Sequence, residues 1–388
     1  MHREVSTVAV ILSLLMAGAG GALAQSPAPV PEASGAKSIE ARIADLEAQI
    51  VALKAEVAQF KEGDSKTTPT PSTTGKDYPT GDVGGYVQMD WEQHFGPGAG
   101  ISGLVPRRVR LEYVGKIASD VDYKVSVEGA SAAADLVRDA YVKYKGSGGK
   151  HTWTVGQFKM PQGYADLLPD TNQLLGTRPI MMEAATWNGT RFTAIAPSRQ
   201  LGVQYAYTDS HNLAQAAIFG GNGRNTMDEN SAKDVAVRYI HSSKDKRHEL
   251  GGSVRVGQEF AGAAAANLTN IGLEYRYHGK KWQVLAEGLT GSVRTANNTL
   301  RPQAGVCLDL VYWPNGTKRY AWWPEAGAGD EYWMARLERV WRDQTFTNSV
   351  TVAWLGYGRY VRDNWRFTIA LGVQRQEQKL ILSNTVRF

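Results

Sequence analysis

After Asp82 the chain alternates in polarity with a period of two, the mark of strands with one apolar and one polar face. Val109, Leu111 and Tyr113 oppose Arg108, Arg110 and Glu112, and Val121, Tyr123, Val125 and Val127 oppose Asp122, Lys124, Ser126 and Glu128. The rhythm recurs far downstream. Ile271, Leu273, Tyr275 and Tyr277 oppose Gly272, Glu274, Arg276 and His278, and Trp365, Phe367, Ile369 and Leu371 oppose Arg366, Thr368, Ala370 and Gly372. In the last residues Leu380, Leu382, Val386 and Phe388 share one face, and Lys379, Ser383, Thr385 and Arg387 the other. Segments of about ten residues with this pattern suit tilted strands that cross a bilayer, apolar side to lipid and polar side to water. Trp91, Tyr113, Tyr144, Trp153, Tyr207, Tyr277, Trp282, Trp333, Trp354 and Trp365 fall near strand ends, where interfacial aromatic girdles belong.

The pattern predicts an all-β, antiparallel up-and-down barrel over 83–388. Sixteen candidate strands begin near residues 85, 105, 120, 136, 151, 189, 200, 212, 233, 246, 269, 281, 330, 346, 364 and 378. Short turns and long loops should keep to opposite rims, and in this set their phase switches after Asn212. Further strands within 159–188 and 291–329, the latter near the Asn315-Gly316 turn signal, would make eighteen. Both counts stand on the sequence.

The first 82 residues differ in kind. Met1–Ala24 has a charged start, an apolar run from Val5 to Met16 and small residues before Gln25, as a secretory signal does. Ile39, Ile43, Leu46, Ile50, Leu53, Val57 and Phe60 step by four and three, a heptad seam that predicts a short coiled-coil helix over 37–62. Arg42 with Glu47 and Glu56 with Lys61 stand at flanking positions where they could pair between helices. Residues 63–82, rich in Thr, Pro, Ser and Lys, read as a flexible linker. Residues 1–82 hold 7 Lys+Arg and 10 Asp+Glu, so of the 43 and 38 in the whole chain 36 and 28 fall in the strand region, a surplus of +8.

Composition fits a barrel: 41 Gly, 17 Tyr and 11 Trp suit turns, close strand approach and girdles. One cysteine, Cys307, excludes an internal disulfide and a thiolate metal cluster, and no metal or cofactor is expected. No stretch of eighteen apolar residues follows the leader, so any membrane crossing belongs to strands.

Four motifs resemble a known family. They are Thr154-Val-Gly-Gln-Phe-Lys-Met-Pro-Gln-Gly163, Leu136-Val-Arg-Asp-Ala-Tyr-Val-Lys-Tyr-Lys-Gly146, Pro197-Ser-Arg-Gln-Leu-Gly-Val203 and Ile218-Phe-Gly-Gly-Asn-Gly223. From about Val83 to Phe388 the chain resembles the phosphate-selective outer-membrane porins of the porin O and P type. That resemblance implies a homotrimeric sixteen-stranded porin in the bacterial outer membrane, surrounded by its lipid, with a third loop folded inward and lumenal arginines that draw small anions such as phosphate. Arg107, Arg108, Arg110, Lys159 and Arg178 look like counterparts of those basic residues. Lys159–Glu183 is the long insertion, and its Leu167, Leu168, Leu174, Leu175, Ile180, Met181 and Met182 equip it to pack inside the barrel.

Strand parity adds Lys124, Arg238 and Arg276 to the anion-binding candidates, among the lumenal basics Arg108, Arg110, Lys116, Lys124, Lys143, Arg238, Arg255, Arg276, Arg336 and Arg366. Guanidinium forks match phosphate oxygens in pairs. Glu112, Asp122, Glu128, Asp139, Glu274 and Glu287 share those faces, so a mutually neutralised lumen without ion choice is the plain alternative. An enzyme is the rival class, but the scattered histidines accompany no Gly-x-Ser-x-Gly or His-Glu-x-x-His motif. Nucleic-acid binding lacks a basic helix or an aromatic-basic platform. A third reading makes the barrel an envelope tether, with the helix and linker reaching a cell-wall partner.

Overall fold

Strands in lipid must satisfy every backbone edge, so a sheet of them is stable there only when it closes on itself. The computed structural model describes residues 78–388 apart from 97–101, 131–135, 184, 188–189, 193, 196–198, 221–222, 227–232, 262–263, 295–299, 317–325 and 342–348. The wall begins with β1 (Thr80–Phe95), β2 (Gly103–Ala118), β3 (Val121–Glu128), β4 (Val137–Lys145) and β5 (His151–Lys159). An insertion follows that carries a small hairpin, β6 (Ala185–Trp187) and β7 (Thr190–Phe192). The wall resumes with β8 (Arg199–Thr208), β9 (Asn212–Phe219), β10 (Asp234–Ser242), β11 (His248–Ala261), β12 (Ala264–His278) and β13 (Trp282–Arg294). It ends with β14 (Leu300–Tyr312), β15 (Glu331–Trp341), β16 (Ser349–Arg362), β17 (Trp365–Val373) and β18 (Gln378–Arg387). Neighbours pair antiparallel, β5 meets β8, and β1 pairs with both β2 and β18, closing a barrel of sixteen strands.

The total agrees with the expected sixteen through two compensating differences. No wall strand begins near 189, where the chain instead forms the hairpin β6–β7, a sheet of its own. The wall gains β14, inside the stretch 291–329, and the Asn315-Gly316 turn follows it, Gly316 N donating to Trp313 O at 3.0 Å. That exchange removes the switch of phase. Connections 119–120, 146–150, 209–211, 243–247, 279–281 and 363–364 now share one rim, with 313–330 its longer exception, and the insertion leaves from the other. The signal segment 1–24 and the coiled-coil helix 37–62 lie outside the described residues. β1 starts at Thr80, inside the segment read as linker, because Thr80 already pairs with Lys116 of β2.

Outward parity holds. Leu104, Val109, Leu111, Val155, Leu250, Leu273 and Leu355 are exposed on the outer face. Aromatic pairs ring the short-turn rim: Trp153 with Tyr205, Trp282 with Tyr312 and Trp333 with Tyr357, at centroid distances of 5.0, 4.7 and 4.9 Å. Trp354 departs from its expected girdle place. It is buried inside the barrel, edge-on to Trp187 at 5.7 Å.

The inner face is polar on only part of the wall. On β15 and β16, Tyr332, Met334, Val340, Val350 and Val352 point inward and are buried, joined by Leu285 and Leu289 of β13, Ala370 of β17 and Ile381 of β18. The insertion covers them, packing Leu168, Leu174, Leu175, Ile180, Met181 and Met182 into one apolar cluster. Small residues in the wall let it approach this closely. A Cβ at Gly305 would lie 2.6 Å from Met181 Cβ, and one at Gly356 would lie 2.6 Å from Leu175 Cδ2.

Candidate functional site

Irregular backbone is tolerated at membrane depth only where protein satisfies its polar groups. The wall supplies the partners. Arg366 donates to Thr171 O and Gln173 O at 2.9 and 2.8 Å, Tyr332 Oη to Leu174 O at 2.7 Å, Gln88 Nε2 to Gly176 O at 2.8 Å and Arg336 Nη1 to Thr177 O at 3.0 Å. In the opposite sense Glu287 accepts from Tyr164 N and Ala165 N at 2.6 and 3.0 Å, and Glu338 accepts from Ile180 N at 2.7 Å. The insertion is therefore a fixed element of the lumen.

Its carboxylates face the expected arginine cluster. Asp170 accepts from Tyr86 Oη at 2.8 Å and from Arg178 Nη2 at 2.7 Å, and it lies 3.2 Å from Arg108 Nε and 3.0 Å from Arg110 Nη1. Glu183 pairs with Arg107 at 3.0 Å and Arg108 at 3.1 Å, while Glu128 pairs with Arg110 at 2.8 Å. Burial works to raise the Asp170 carboxyl, but Arg108, Arg178 and Arg110 outweigh it and hold it well below the usual carboxylate range. Glu183 is lowered in the same way: burial opposes ionisation, and Arg108 and Arg107 overcome it.

Arg107 takes part through a bulge. The β1–β2 register runs Gln88 to Arg108 and then Met89 to Pro106, so Arg107 has no partner across the ladder and two successive arginines reach Glu183. Gly156 makes a second break in alternation. At φ 126 it occupies backbone space that L side chains avoid, and a Cβ there would lie 2.2 Å from Ala140 O. Beyond it Gln157 and Phe158 are both buried, which roots the insertion in the wall.

The wall of β1–β5 and β8–β9 stays clear of the apolar cluster. Between it and the insertion lies a vestibule of about 580 Å³ on the short-turn side. Its basic side chains are Arg110, Lys124, Lys143, Lys159, Arg199 and Arg387 and its acidic ones Glu112, Asp139 and Asp170, six to three. Of the eight candidate anion ligands, Arg110, Lys124 and Lys159 line this space. Arg107 and Arg108 stand behind the insertion on Glu183, outside that lining. Arg178 is a brace within the insertion, donating to Ala165 O, Asp166 O and Leu168 O at 2.5, 2.7 and 2.8 Å as well as to Asp170. Arg238 pairs with Glu274 at 2.5 Å. Arg276 pairs with Glu249 at 3.1 Å and stacks on Tyr164 at 3.9 Å, so these two also serve the lumen wall.

Lys124 sits 2.9 Å from Glu112, and Lys159 donates to Asp166 O and, at 3.1 Å, to Leu168 O. Arg199, absent from the candidates, binds Asp139 Oδ1 at 2.7 Å from the first position of β8. Parity groups it with lipid-facing Leu201 and Val203, yet at the root of the insertion Arg199 and Gln200 are both buried. Its place in the Pro197–Val203 motif was the available signal.

The chain matches the family described as phosphate-selective porin O and P over residues 83–281. No curated protein matches it. Among solved structures it is similar to the outer membrane channel DcaP of Acinetobacter baumannii, with 12% identity, 83% of this chain and 100% of that one covered, and a TM-score of 0.53. It is also similar to the trimer form of OmpT of Vibrio cholerae, with 10% identity, 80% and 99% covered and a TM-score of 0.54. A third similar structure is OprB of Pseudomonas putida, with 10% identity, 79% and 94% covered and a TM-score of 0.53. At such identities the likeness concerns the barrel fold, and the family match carries the rest. With a closed barrel, an inward-folded insertion and a wet vestibule beside it, the chain belongs to the phosphate-selective porin O and P family and is a channel-forming porin of the bacterial outer membrane.

Proposed function

We propose that this porin passes small anions, phosphate among them, through the vestibule beside the insertion. The observation that carries this reading is the excess of six basic side chains over three acidic ones on the lining. Fixed positive groups in a narrow aqueous passage raise the local anion concentration and replace part of the ion's hydration shell. The proposed path uses Arg110, Lys124, Lys159 and Arg199 as its cationic wall, while Arg107, Arg108, Arg178, Arg238 and Arg276 act through the fixed shape of the lumen.

The proposed working form is a homotrimer. The heptad seam of 37–62 would add to its association across the linker, after a signal segment of 1–24 has directed export. A trimer form is named for OmpT, which has the same barrel fold.

Planar-bilayer recording tests the reading. The full-length protein should give a reversal potential on the anion side in a salt gradient, and phosphate should reduce its chloride current. A cation-preferring channel would refute it. A general diffusion channel without ion choice is the second reading, favoured by the carboxylate partners that Arg107, Arg108 and Arg110 already have.

A further inference from the structure

Part of the vestibule lining is apolar. On the wall, Tyr141 is half-buried and packs edge-on against Phe158 with centroids 6.4 Å apart. On the insertion, Leu167 is half-buried and Pro169 exposed to the same space. An inorganic anion gains nothing from such groups, because its whole surface is polar and hydrated. A molecule with a charged end and an apolar body gains at both ends.

The charges of the lining are unequally committed. Arg110, Lys124 and Arg199 each have a carboxylate partner, and Lys159 donates to backbone carbonyls. Lys143 and Arg387 make no ion pair among the described residues: Lys143 stands across the ladder from Asp122, whose carboxylate Lys145 and Lys116 hold, and Arg387 donates to Asp363 O at 3.0 Å. The period of two along β4 sets Lys143 on the same face as Tyr141, with its Nζ 5.7 Å from the ring centroid. An ammonium without an ion pair beside an aromatic ring matches a carboxylate attached to an apolar body.

We propose that the vestibule is a binding station for small aromatic monocarboxylates of the benzoate type, with the carboxylate on Lys143 and the ring against Tyr141 and the Leu167–Pro169 tip. This rests on the vestibule being the anion path. Ring burial supplies the discrimination that charge alone lacks, since acetate carries the same carboxylate and almost none of the apolar surface.

The test is block of chloride current through the full-length protein in planar bilayers by benzoate, acetate and inorganic phosphate in turn. Burial of roughly 60 Å² of ring surface should let benzoate block at a concentration about tenfold lower than acetate. Lys143→Gln should weaken benzoate block about tenfold, through loss of a charge-assisted contact. Tyr141→Ala should bring the benzoate-to-acetate ratio within about threefold, through loss of the ring contact. Heat-modifiable migration checks that each variant is a closed barrel, and the wild-type ratio decides the matter if a variant does not fold. Equal block by benzoate and acetate, or a preference that both substitutions leave intact, overturns the station. Anion-preferring wild type with equal block overturns the station alone, whereas cation-preferring wild type overturns the anion path beneath it as well.

Discussion

Asp170→Asn removes one negative charge from the vestibule with almost no change of volume. Six basic side chains would then face two acidic ones in place of three. A monovalent ion passing about 7 Å from that charge feels roughly 0.6 kcal/mol of it at the dielectric of water and about 2.4 kcal/mol at an effective value of about 20. Even the lower figure raises local anions about threefold and lowers cations about threefold, so the variant's reversal potential should move clearly toward anions. The insertion should loosen without leaving. Orphaning the partners of a buried carboxylate costs about 3–5 kcal/mol. Here Arg108 keeps Glu183, Arg110 keeps Glu128 and Arg178 keeps three carbonyls, which places the cost near the low end. Reversal potentials in a salt gradient, with limited proteolysis of the insertion alongside, measure both effects. An unchanged or reduced anion preference in a heat-modifiable variant would refute the assignment of Asp170 to the ion path. The pH dependence follows from its lowered carboxyl. A depressed carboxylate contributes its stabilisation above its unfolded value of about 3.9 and loses it only as pH falls through the lower folded value. The share of ion preference set by Asp170 should therefore hold from neutral pH down to about 4 and shift toward that of the variant only below it.

Gly356→Val places a Cβ 2.6 Å from Leu175 Cδ2, so the buried Leu175 side chain, which anchors the insertion, must give way. Overpacking of about 1–3 kcal/mol should lower the temperature of heat modification and change the conductance, and an unmoved temperature would mean the insertion is not held there. Lys124→Gln should lower anion preference, whereas Arg178→Ala should chiefly hasten proteolysis of the insertion; equal shifts of reversal potential would place Arg178 on the path after all. Deleting residues 25–63 should leave a heat-modifiable barrel and a less heat-stable oligomer, because the heptad seam and the strands bury separate apolar surfaces. Oligomers that dissociate at the same temperature with and without that segment would assign the seam another role.

Alternation is a local property of strands, and that is why so much of the barrel was legible. Val109 and Leu111 face outward and Arg108 and Arg110 inward, as their positions in the run require. Sixteen was one of the two counts the sequence allowed, but the choice between a wall strand near 189 and β14 was not legible, because only pairing with neighbouring strands distinguishes the two stretches. Local breaks defeated parity at Arg107, where a bulge adds one residue, and at Arg199, the first residue of β8, which is buried together with Gln200. The site itself was decided by contacts between distant parts of the chain. Asp170 meets Tyr86 across 84 residues, and Ile180 meets Glu338 across 158. An irregular segment has no period from which its partners can be read, so the strands could be foretold as a wall with an inner face, while which part of that face stays wet, and which arginines are spent on the segment that covers the remainder, depended on where the insertion came to lie.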